Sequence, residues 1–150
     1  MRAGDIMSRN VVTVDARVTF ADAARVLHEH RISSVVVKRK DAPVGIVTER
    51  DFVNLIADGK DPASTRVGDR MSKDLVTIGS KADLADAAKL MAERRIRHLS
   101  VVDRGKLVGI ISIRDLTSWA VEEITGGHEL RDMEGSSAAL VAAVEVGRGA

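Results

Sequence analysis

Two pairs of side chains have the types and the spacing that chemistry requires. Thr48 precedes Asp51 by three residues, and Ser112 precedes Asp115 in the same way. A carboxylate accepts hydrogen bonds from two hydroxyl groups at once, so each pair is able to hold a polar ligand. The same spacing is typical of a helix N-terminus, where Ser or Thr caps the helix and an acid follows. From the residues alone, we favour the capping role.

The densest group of basic residues is formed by Arg94, Arg95, Arg97 and His98. Basic side chains at the end of a helix usually interact with its last carbonyl groups. We assign that role to Arg94 and Arg95. The other two residues follow the predicted helix and approach the next strand, so they are candidates for contact with an anion.

Nothing in the sequence indicates an enzyme. No nucleophile, base and orienting group stand out together, and no spacing suggests metal ligands. His28 and His30 do not form a metal pair, because residues two apart on a helix do not face each other. The chain has no cysteine, which excludes disulfides and thiolate sites.

Composition excludes several other classes of protein. The chain has 150 residues and a formal net charge of +1, which gives no strong field for steering towards nucleic acid or an anionic bilayer. Its three aromatic residues, two Phe and one Trp, are too few for a base-stacking platform. No segment approaches the roughly 20 apolar residues of a membrane span, and the amino terminus lacks the apolar core of a secretory signal. We therefore expect a cytoplasmic protein without nucleic-acid or membrane partners.

The sequence contains an internal repeat with a constant offset of 64 residues. Residues 5–56 match residues 69–120 without a gap, and 18 of these 52 pairs are identical. Because a repeat of this length is a folding unit, we interpret it as a duplication. The predicted organisation is a first repeat with its linker (1–62), a second repeat (63–125) and a tail (126–150) that forms a short helix or is disordered.

Each copy predicts the order β-α-β-β-α. In the first copy, apolar runs at 11–14, 35–37 and 44–47 indicate strands, with a turn from Lys38 to Pro43. A helix is predicted from about Phe20 to His30, with its copy from Leu84 to Arg95, and a second one begins after Thr48 and after Ser112. Lone glycines such as Gly45 within a strand mark a bulge or a close backbone approach, which is compatible with a ligand passing over them.

Two copies must share one core, because a unit of roughly 50 residues is too small to bury one alone. We therefore predict a mixed α/β (α+β) fold of two β-α-β-β-α repeats. The repeats are expected to pack face to face through their sheets with pseudo-twofold symmetry. The cleft between them is the natural ligand site.

The motifs in this order resemble those of the CBS (cystathionine-β-synthase) domain, whose tandem pairs are called Bateman modules. Asp-Ile-Met-Ser at 5–8 and Asp-Arg-Met-Ser at 69–72 begin the copies, and Val-Thr-Val at 12–14 and Val-Thr-Ile at 76–78 follow. Gly-Ile-Val-Thr-Glu-Arg-Asp at 45–51 and Gly-Ile-Ile-Ser-Ile-Arg-Asp at 109–115 complete them. The resemblance covers about residues 4 to 124.

The resemblance implies a role for each polar pair. In that family, the aspartate that closes the glycine-led motif hydrogen-bonds the ribose hydroxyls of a nucleotide. The Ser or Thr three residues earlier faces ribose or phosphate. These roles would fall on Asp51 and Asp115, and on Thr48 and Ser112, with the positive end of a helix favouring a phosphate nearby.

The resemblance also implies main-chain contacts to adenine and basic contacts to phosphate. The adenine contacts would fall on Thr13, Val14, Thr77 and Ile78. The expected phosphate contacts are Arg97 and His98, which lead into the apolar run at 99–102. Arg50 and Arg114, within the glycine-led motifs, are also expected to bind the ligand.

The first copy departs from this pattern. It has Ser33 and Ser34 where the second copy has its basic pair, and serine cannot neutralise a phosphate. We therefore expect two unequal pockets. Ser100 and Val36 stand where the family commonly has proline, and we interpret this difference as neutral variation.

The leading hypothesis is a regulatory module without a required cofactor. An adenosine-containing ligand (AMP, ADP, ATP, NAD or S-adenosylmethionine) would stabilise one arrangement of the repeats. A homodimer is expected, with a separate regulated protein or the assembly state as the output. The alternative is a ligand-independent scaffold for dimerisation and partner binding, which the unequal first pocket supports.

Overall fold

The chain folds as two copies of one α-β pattern, as seen in a computed structural model that describes residues 1–126. In chain order the elements are α1 (Ala3–Ile6), β1 (Thr13–Asp15), α2 (Phe20–His30), β2 (Ser34–Arg39), β3 (Ala42–Thr48), α3 (Glu49–Ala57), α4 (Val67–Arg70), β4 (Thr77–Ile78), α5 (Leu84–Arg94), β5 (His98–Asp103), β6 (Lys106–Ser112) and α6 (Ile113–Thr125). The predicted tail lies outside the described residues, except for Gly126.

The strands form two three-stranded sheets, in the orders β1-β2-β3 and β4-β5-β6. In each sheet the first pair of strands is parallel and is connected through a helix, whereas the second pair is an antiparallel hairpin. The predicted α/β (α+β) fold with two β-α-β-β-α repeats is therefore confirmed.

The helix that follows the first strand of each copy agrees closely with its prediction. α2 begins after Thr19, whose Oγ1 accepts the backbone N–H of Asp22 at 3.2 Å. It ends where Arg31 adopts a left-handed conformation with φ of 52°, and α5 ends at Arg95 in the same way. Apolar residues at helical spacing and local capping groups determine these helices, so the sequence alone locates them well.

The hairpin turns are shorter than the sequence suggests. Strands β2 and β3 are joined by Lys40 and Asp41 alone, both with positive φ (49° and 64°). Arg104 and Gly105 do the same between β5 and β6, with φ of 50° and 76°. Two consecutive positive φ values match the twist of a tight hairpin. The predicted turn from Lys38 to Pro43 was too wide, because a non-glycine pair in this conformation carries a weak sequence signal.

The core of the first repeat lies between its sheet and helices α2 and α3. Phe20 and Leu55 are fully buried there, and the rings of Phe20 and Phe52 meet edge to face at 5.1 Å. Strand β2 contributes Val35 and Val37 to this core. Val36 points to the opposite face of the sheet and is equally buried.

The segment that begins each repeat, residues 3–8 in the first copy and 67–72 in the second, packs against the other repeat. We call these two stretches the leading segments. In the first copy, the amides of Ala3 and Gly4 donate to the carbonyls of Ala82 and Ser80, both at 2.8 Å. In the second copy, the amides of Val67 and Gly68 donate to Val18 and Ala16, both at 2.9 Å. The donors and acceptors of the two copies are related by the same offset of 64 residues, so the contacts between the repeats are symmetric. The short helices α1 and α4 in these segments were not predicted.

Each leading segment also pairs with the edge strand of the other repeat's sheet. Ser8 pairs with Ile110 on the outer edge of β6, and Ser72 pairs with Ile46 on the outer edge of β3. Each pair is joined by two reciprocal backbone hydrogen bonds of 2.9 to 3.2 Å. Val67 and Met71 of the second leading segment are part of the first repeat's core. The first repeat therefore completes its core with residues of the second, and each sheet is extended at its edge by residues of the other repeat.

The packing of the leading segments against β3 and β6 explains the glycine within each of these strands. A Cβ on Gly45 would lie 2.6 Å from both Met71 Sδ and the Ser72 carbonyl oxygen. At Gly109 it would meet the side chain of Met7. The hairpin register also shifts beside both glycines. A bulge and a close approach are both present, and the groups that approach belong to the other repeat.

The chain divides into two compact units, Met1–Ile113 and Arg114–Ala150. The first contains both sheets and helices α1 to α5. The second, in its described part, consists of α6 after its first residue, and Gly126 follows that helix with φ of 66°. Within residues 1–126, no helix has the length and apolar character needed to cross a membrane.

Candidate functional site

A cavity of about 30 Å³ lies where the two repeats join. Ile46 of the first repeat forms one wall. The other walls come from the second repeat, and the lining residues there are Ser72, Asp74, Leu75, Val76, Ile96, His98 and Ser100. Because Ile46 and Ser72 are also paired through their backbones, a molecule in this cavity would contact the junction of the repeats directly.

Strand β5 provides two of the polar residues of this cavity. Residues two apart on a strand point to the same face, so His98 and Ser100 both face the cavity, whereas Leu99 and Val101 lie on the opposite face. The segment 72–76 runs into β4, and Thr77 of that strand pairs with Ser100. The parallel pair β4-β5 and the leading segment of the repeat thus build one side of the site together.

Ser100 is a functional candidate that the sequence did not single out. Only 1% of the residue is exposed, and its Oγ has no hydrogen-bond partner among residues 1–126. Buried hydroxyl groups are nearly always hydrogen-bonded, so this one requires an explanation. The one sequence signal at this position is its departure from the proline that the family commonly has.

His98 connects the two repeats. Its Nε2 lies 2.9 Å from Oγ of Ser33, which belongs to the first repeat. The imidazole and the hydroxyl can each act as donor or acceptor, so this bond persists in either tautomer. The sequence predicted a phosphate contact at His98 and an unequal first pocket at Ser33. It did not indicate that these positions contact each other.

The first polar pair caps a helix and keeps one carboxylate oxygen available. Asp51 Oδ2 accepts the backbone N–H of Thr48 at 2.7 Å, at the N-terminus of α3. Asp51 Oδ1 takes part in no hydrogen bond in the described part of the chain. Thr48 lies two residues after Ile46 on β3, so its side chain is on the cavity face of the strand. Capping therefore leaves an oxygen for a ligand hydroxyl.

The second polar pair occupies the equivalent positions. Ser112 ends β6, and Asp115 lies in the first turn of α6. Arg114 is in the same turn. Asp115 and Arg114 belong to the second compact unit, so their roles towards a ligand stay predictions.

The expected adenine contacts lie on edge strands. Thr13 and Val14 are on β1, and Thr77 and Ile78 form β4. Each strand pairs on one side only within its sheet, so its other side has backbone groups without a strand partner in the described sheets. The side chain of Val14 packs into the first core, which leaves only main-chain groups for a ligand there. Their contact with a ligand stays a prediction.

The three expected arginines are exposed, whereas His98 is half-buried. Arg50 lies in the first turn of α3, and Arg97 immediately precedes β5. The Arg97 carbonyl accepts the backbone N–H of Ile113 at 2.8 Å, and Ser33 accepts that of Glu49 at 3.1 Å. These main-chain bonds hold the backbone of Glu49 and of Ile113, while the arginine side chains are exposed. Within residues 1–126, no three His, Cys, Asp or Glu side chains are grouped to hold a metal ion.

Comparison with known proteins identifies a family and several relatives of this chain. The family model of the CBS domain matches residues 3–58 and 67–122. The CBS domain-containing protein YhcV of Bacillus subtilis is 32% identical over 130 residues, which is 86% of this chain and 92% of that protein. Protein MK0525 of Methanopyrus kandleri is 39% identical over 116 residues, 75% of this chain. The match spans only 59% of that relative's length.

Solved structures share the fold. A CBS domain protein of Pyrobaculum aerophilum, solved in complex with AMP, superposes with a TM-score of 0.74 at 27% identity. The match covers 83% of this chain and 99% of that protein.

Proposed function

The chain belongs to the CBS domain family, and from this premise we propose that it is a regulatory module that binds an adenosine-containing ligand between its repeats. Ligand binding would be signalled through the arrangement of the repeats or through the state of a homodimer. The observation that carries the proposal is the cavity at the repeat junction, whose walls come from both copies.

The chemistry of the surrounding residues supports an adenosine ligand. Apolar side chains such as Leu75, Val76 and Ile96 line the cavity and suit the faces of a planar base. Asp51 offers a carboxylate oxygen at a helix N-terminus, where a ribose hydroxyl donates and a phosphate is favoured. The related protein of Pyrobaculum aerophilum was solved with AMP, a ligand of this class.

Ligand entry requires the junction to open. A cavity of about 30 Å³ has room for one or two water molecules, far less than a purine ring. The Ile46–Ser72 pair and the Ser33–His98 bond close this junction. A ligand that binds only the opened arrangement shifts the equilibrium by its differential affinity for the two arrangements. This gives the module a physical route from occupancy to a signal.

The two pockets are proposed to be unequal. The second repeat has Arg97 and His98 before β5, whereas the first has Ser33 and Ser34 before β2. A charged phosphate is therefore favoured on the side of the second repeat, where Asp115 is the proposed ribose contact. The protein is proposed to act without catalysis of its own, and a regulated partner protein would read its state.

Thermal denaturation and calorimetry with AMP, ATP, NAD and S-adenosylmethionine test this proposal. A ligand that binds only the folded protein stabilises it by about 2.7 kcal/mol at 100 times its Kd, so at least one should raise the Tm clearly. Asp115→Ala is expected to weaken binding about tenfold or more. Asp51→Ala should weaken it less, and equal losses would show that the pockets are wrongly ranked.

Asp22→Ala is the matched control for these variants. Asp22 occupies the same position in the first turn of α2 as Asp51 does in α3, and it pairs with the exposed Arg25. Its removal should leave ligand affinity unchanged. The absence of any Tm shift with all four ligands would contradict the proposed function.

The surface of α3 favours a second candidate, a ligand-independent scaffold. Val53 and Ile56 are 66% and 63% exposed, which is unusual for large apolar side chains on one short helix. Analytical ultracentrifugation with and without AMP separates the candidates. A dimer that Val53→Ser and Ile56→Ser dissociate, in a protein that binds none of the ligands, would favour the scaffold.

A further inference from the structure

We propose that the buried hydroxyl of Ser100 binds the polar edge of the ligand's heterocyclic base in the second pocket. This inference rests on the proposed function and deepens it, because it assigns a base-recognition group that the motifs of the sequence do not contain.

The burial of Ser100 is the first observation. The residue is 1% exposed, and its Oγ has no partner among the described residues. A buried hydroxyl without a partner destabilises the free protein, because it has lost its hydrogen bonds to water and gained none in return. Such a hydroxyl forms a favourable hydrogen bond with any donor or acceptor atom of a ligand that reaches it, because no existing hydrogen bond has to be broken first.

The surroundings of the hydroxyl indicate what would reach it. Ser100 lines the junction cavity together with Ile46, Leu75, Val76 and Ile96, which are all apolar. The polar residues Ser72, Asp74 and His98 also line the cavity, but among its polar residues only Ser100 is buried. Apolar walls with one buried polar group fit a flat aromatic ring whose faces are apolar and whose edge is polar. A serine hydroxyl both donates and accepts, so it suits an edge that has a ring nitrogen beside an exocyclic amine.

The first repeat has no counterpart of this hydroxyl. The position equivalent to Ser100 is Val36, which is fully buried and apolar. The two copies therefore differ at the base position as well as at the phosphate position. Ser100 would contribute to the preference of the second pocket for a nucleotide.

Ser100→Ala tests the inference with two measurements that should move in opposite directions. In the ligand-free protein, the variant removes an unpartnered polar group, so its Tm should equal or exceed that of the wild type. In calorimetric titrations with AMP, it loses a buried hydrogen bond, so its Kd should rise about five- to tenfold. A purely structural hydroxyl would lower the Tm and leave the Kd unchanged.

Ser64→Ala is the control, because it makes the same substitution at an exposed residue that does not line the cavity. Its Kd for AMP should change less than about twofold, since water competes for an exposed hydroxyl. If the wild type binds AMP and Ser100→Ala binds it equally well, the inference is overturned while the proposed function stands. A lower Tm of ligand-free Ser100→Ala also overturns it, because the hydroxyl then has a partner without ligand. If the wild type binds none of the adenosine ligands, the proposed function and the inference both fail.

Discussion

Gly45→Ala directly tests whether the second leading segment packs against strand β3 of the first repeat. An added Cβ would lie 2.6 Å from the Ser72 carbonyl oxygen and from Met71 Sδ. The sulfur belongs to a flexible side chain and can move, but the carbonyl belongs to the backbone that pairs with Ile46. The substitution must therefore push the second leading segment away from β3.

The magnitude follows from three contributions. Overpacking in a tight contact costs about 1–3 kcal/mol. Separation of Ser72 from Ile46 loses up to two backbone hydrogen bonds (3.1 and 3.2 Å), each worth about 1 kcal/mol. The lower entropy of alanine in the unfolded chain recovers about 0.5–1 kcal/mol. We expect the free energy of unfolding to fall by about 2–4 kcal/mol.

Alanine substitutions at two further glycines give stability changes with which the effect of Gly45→Ala is compared. At Gly109 the three atoms nearest to an added Cβ all belong to the side chain of Met7, with Cγ at 2.8 Å and Cβ at 3.1 Å, so a rotamer change relieves most of the contact. Gly109→Ala should cost about 1–2 kcal/mol, less than Gly45→Ala. At Gly79 the nearest atom is Asp103 Oδ1 at 3.7 Å, an ordinary contact. Gly79→Ala should change stability by no more than about 0.5–1 kcal/mol, in the stabilising direction.

Urea denaturation followed by circular dichroism measures all three variants. Gly45→Ala should also weaken AMP binding, because Ile46 and Ser72 line the cavity. Equal stabilities of the Gly45→Ala and Gly79→Ala variants would refute the reasoning, since the leading segment would then not lie against β3 in solution.

Two further predictions concern single polar contacts. Bonds from the Ser80 hydroxyl and from its backbone N–H, the latter at 2.9 Å, hold the pKa of Asp103 below its ordinary value. A lowered folded-state pKa adds stability that is complete above the unfolded pKa, about 3.9, and is lost as the pH falls through the folded value. Asp103→Asn should therefore lower the Tm at pH 7 but not at pH 2, and a Tm difference that is constant with pH would contradict this. Ser33→Ala removes the hydroxyl from His98 and should lower the free energy of unfolding by about 0.5–1.5 kcal/mol in urea titrations. The exposed Ser64→Ala is its control, and equal effects of the two would show that the bond between the repeats contributes nothing.

Much of the site could be anticipated because its signals are local. The Thr48–Asp51 spacing predicted a capped helix, and the cap is present. Ser100 escaped prediction because a serine in an apolar strand has no special meaning until its burial and its lack of a partner are known. The contact between Ser33 and His98 joins residues 65 apart in the chain, and no local pattern encodes such a pair.

The sequence by itself determined the elements and their duplication. Helical periodicity located α2 and α5, and the offset of 64 residues established two equivalent copies, because these features depend on neighbours within a few residues or on direct comparison of the chain with itself. Only the tertiary structure decided which copy each leading segment completes. Met7 and Met71 would suit the glycine of either repeat, since the copies are so similar, and only the path of the chain and the packing of both sheets place each one over the glycine of the other repeat.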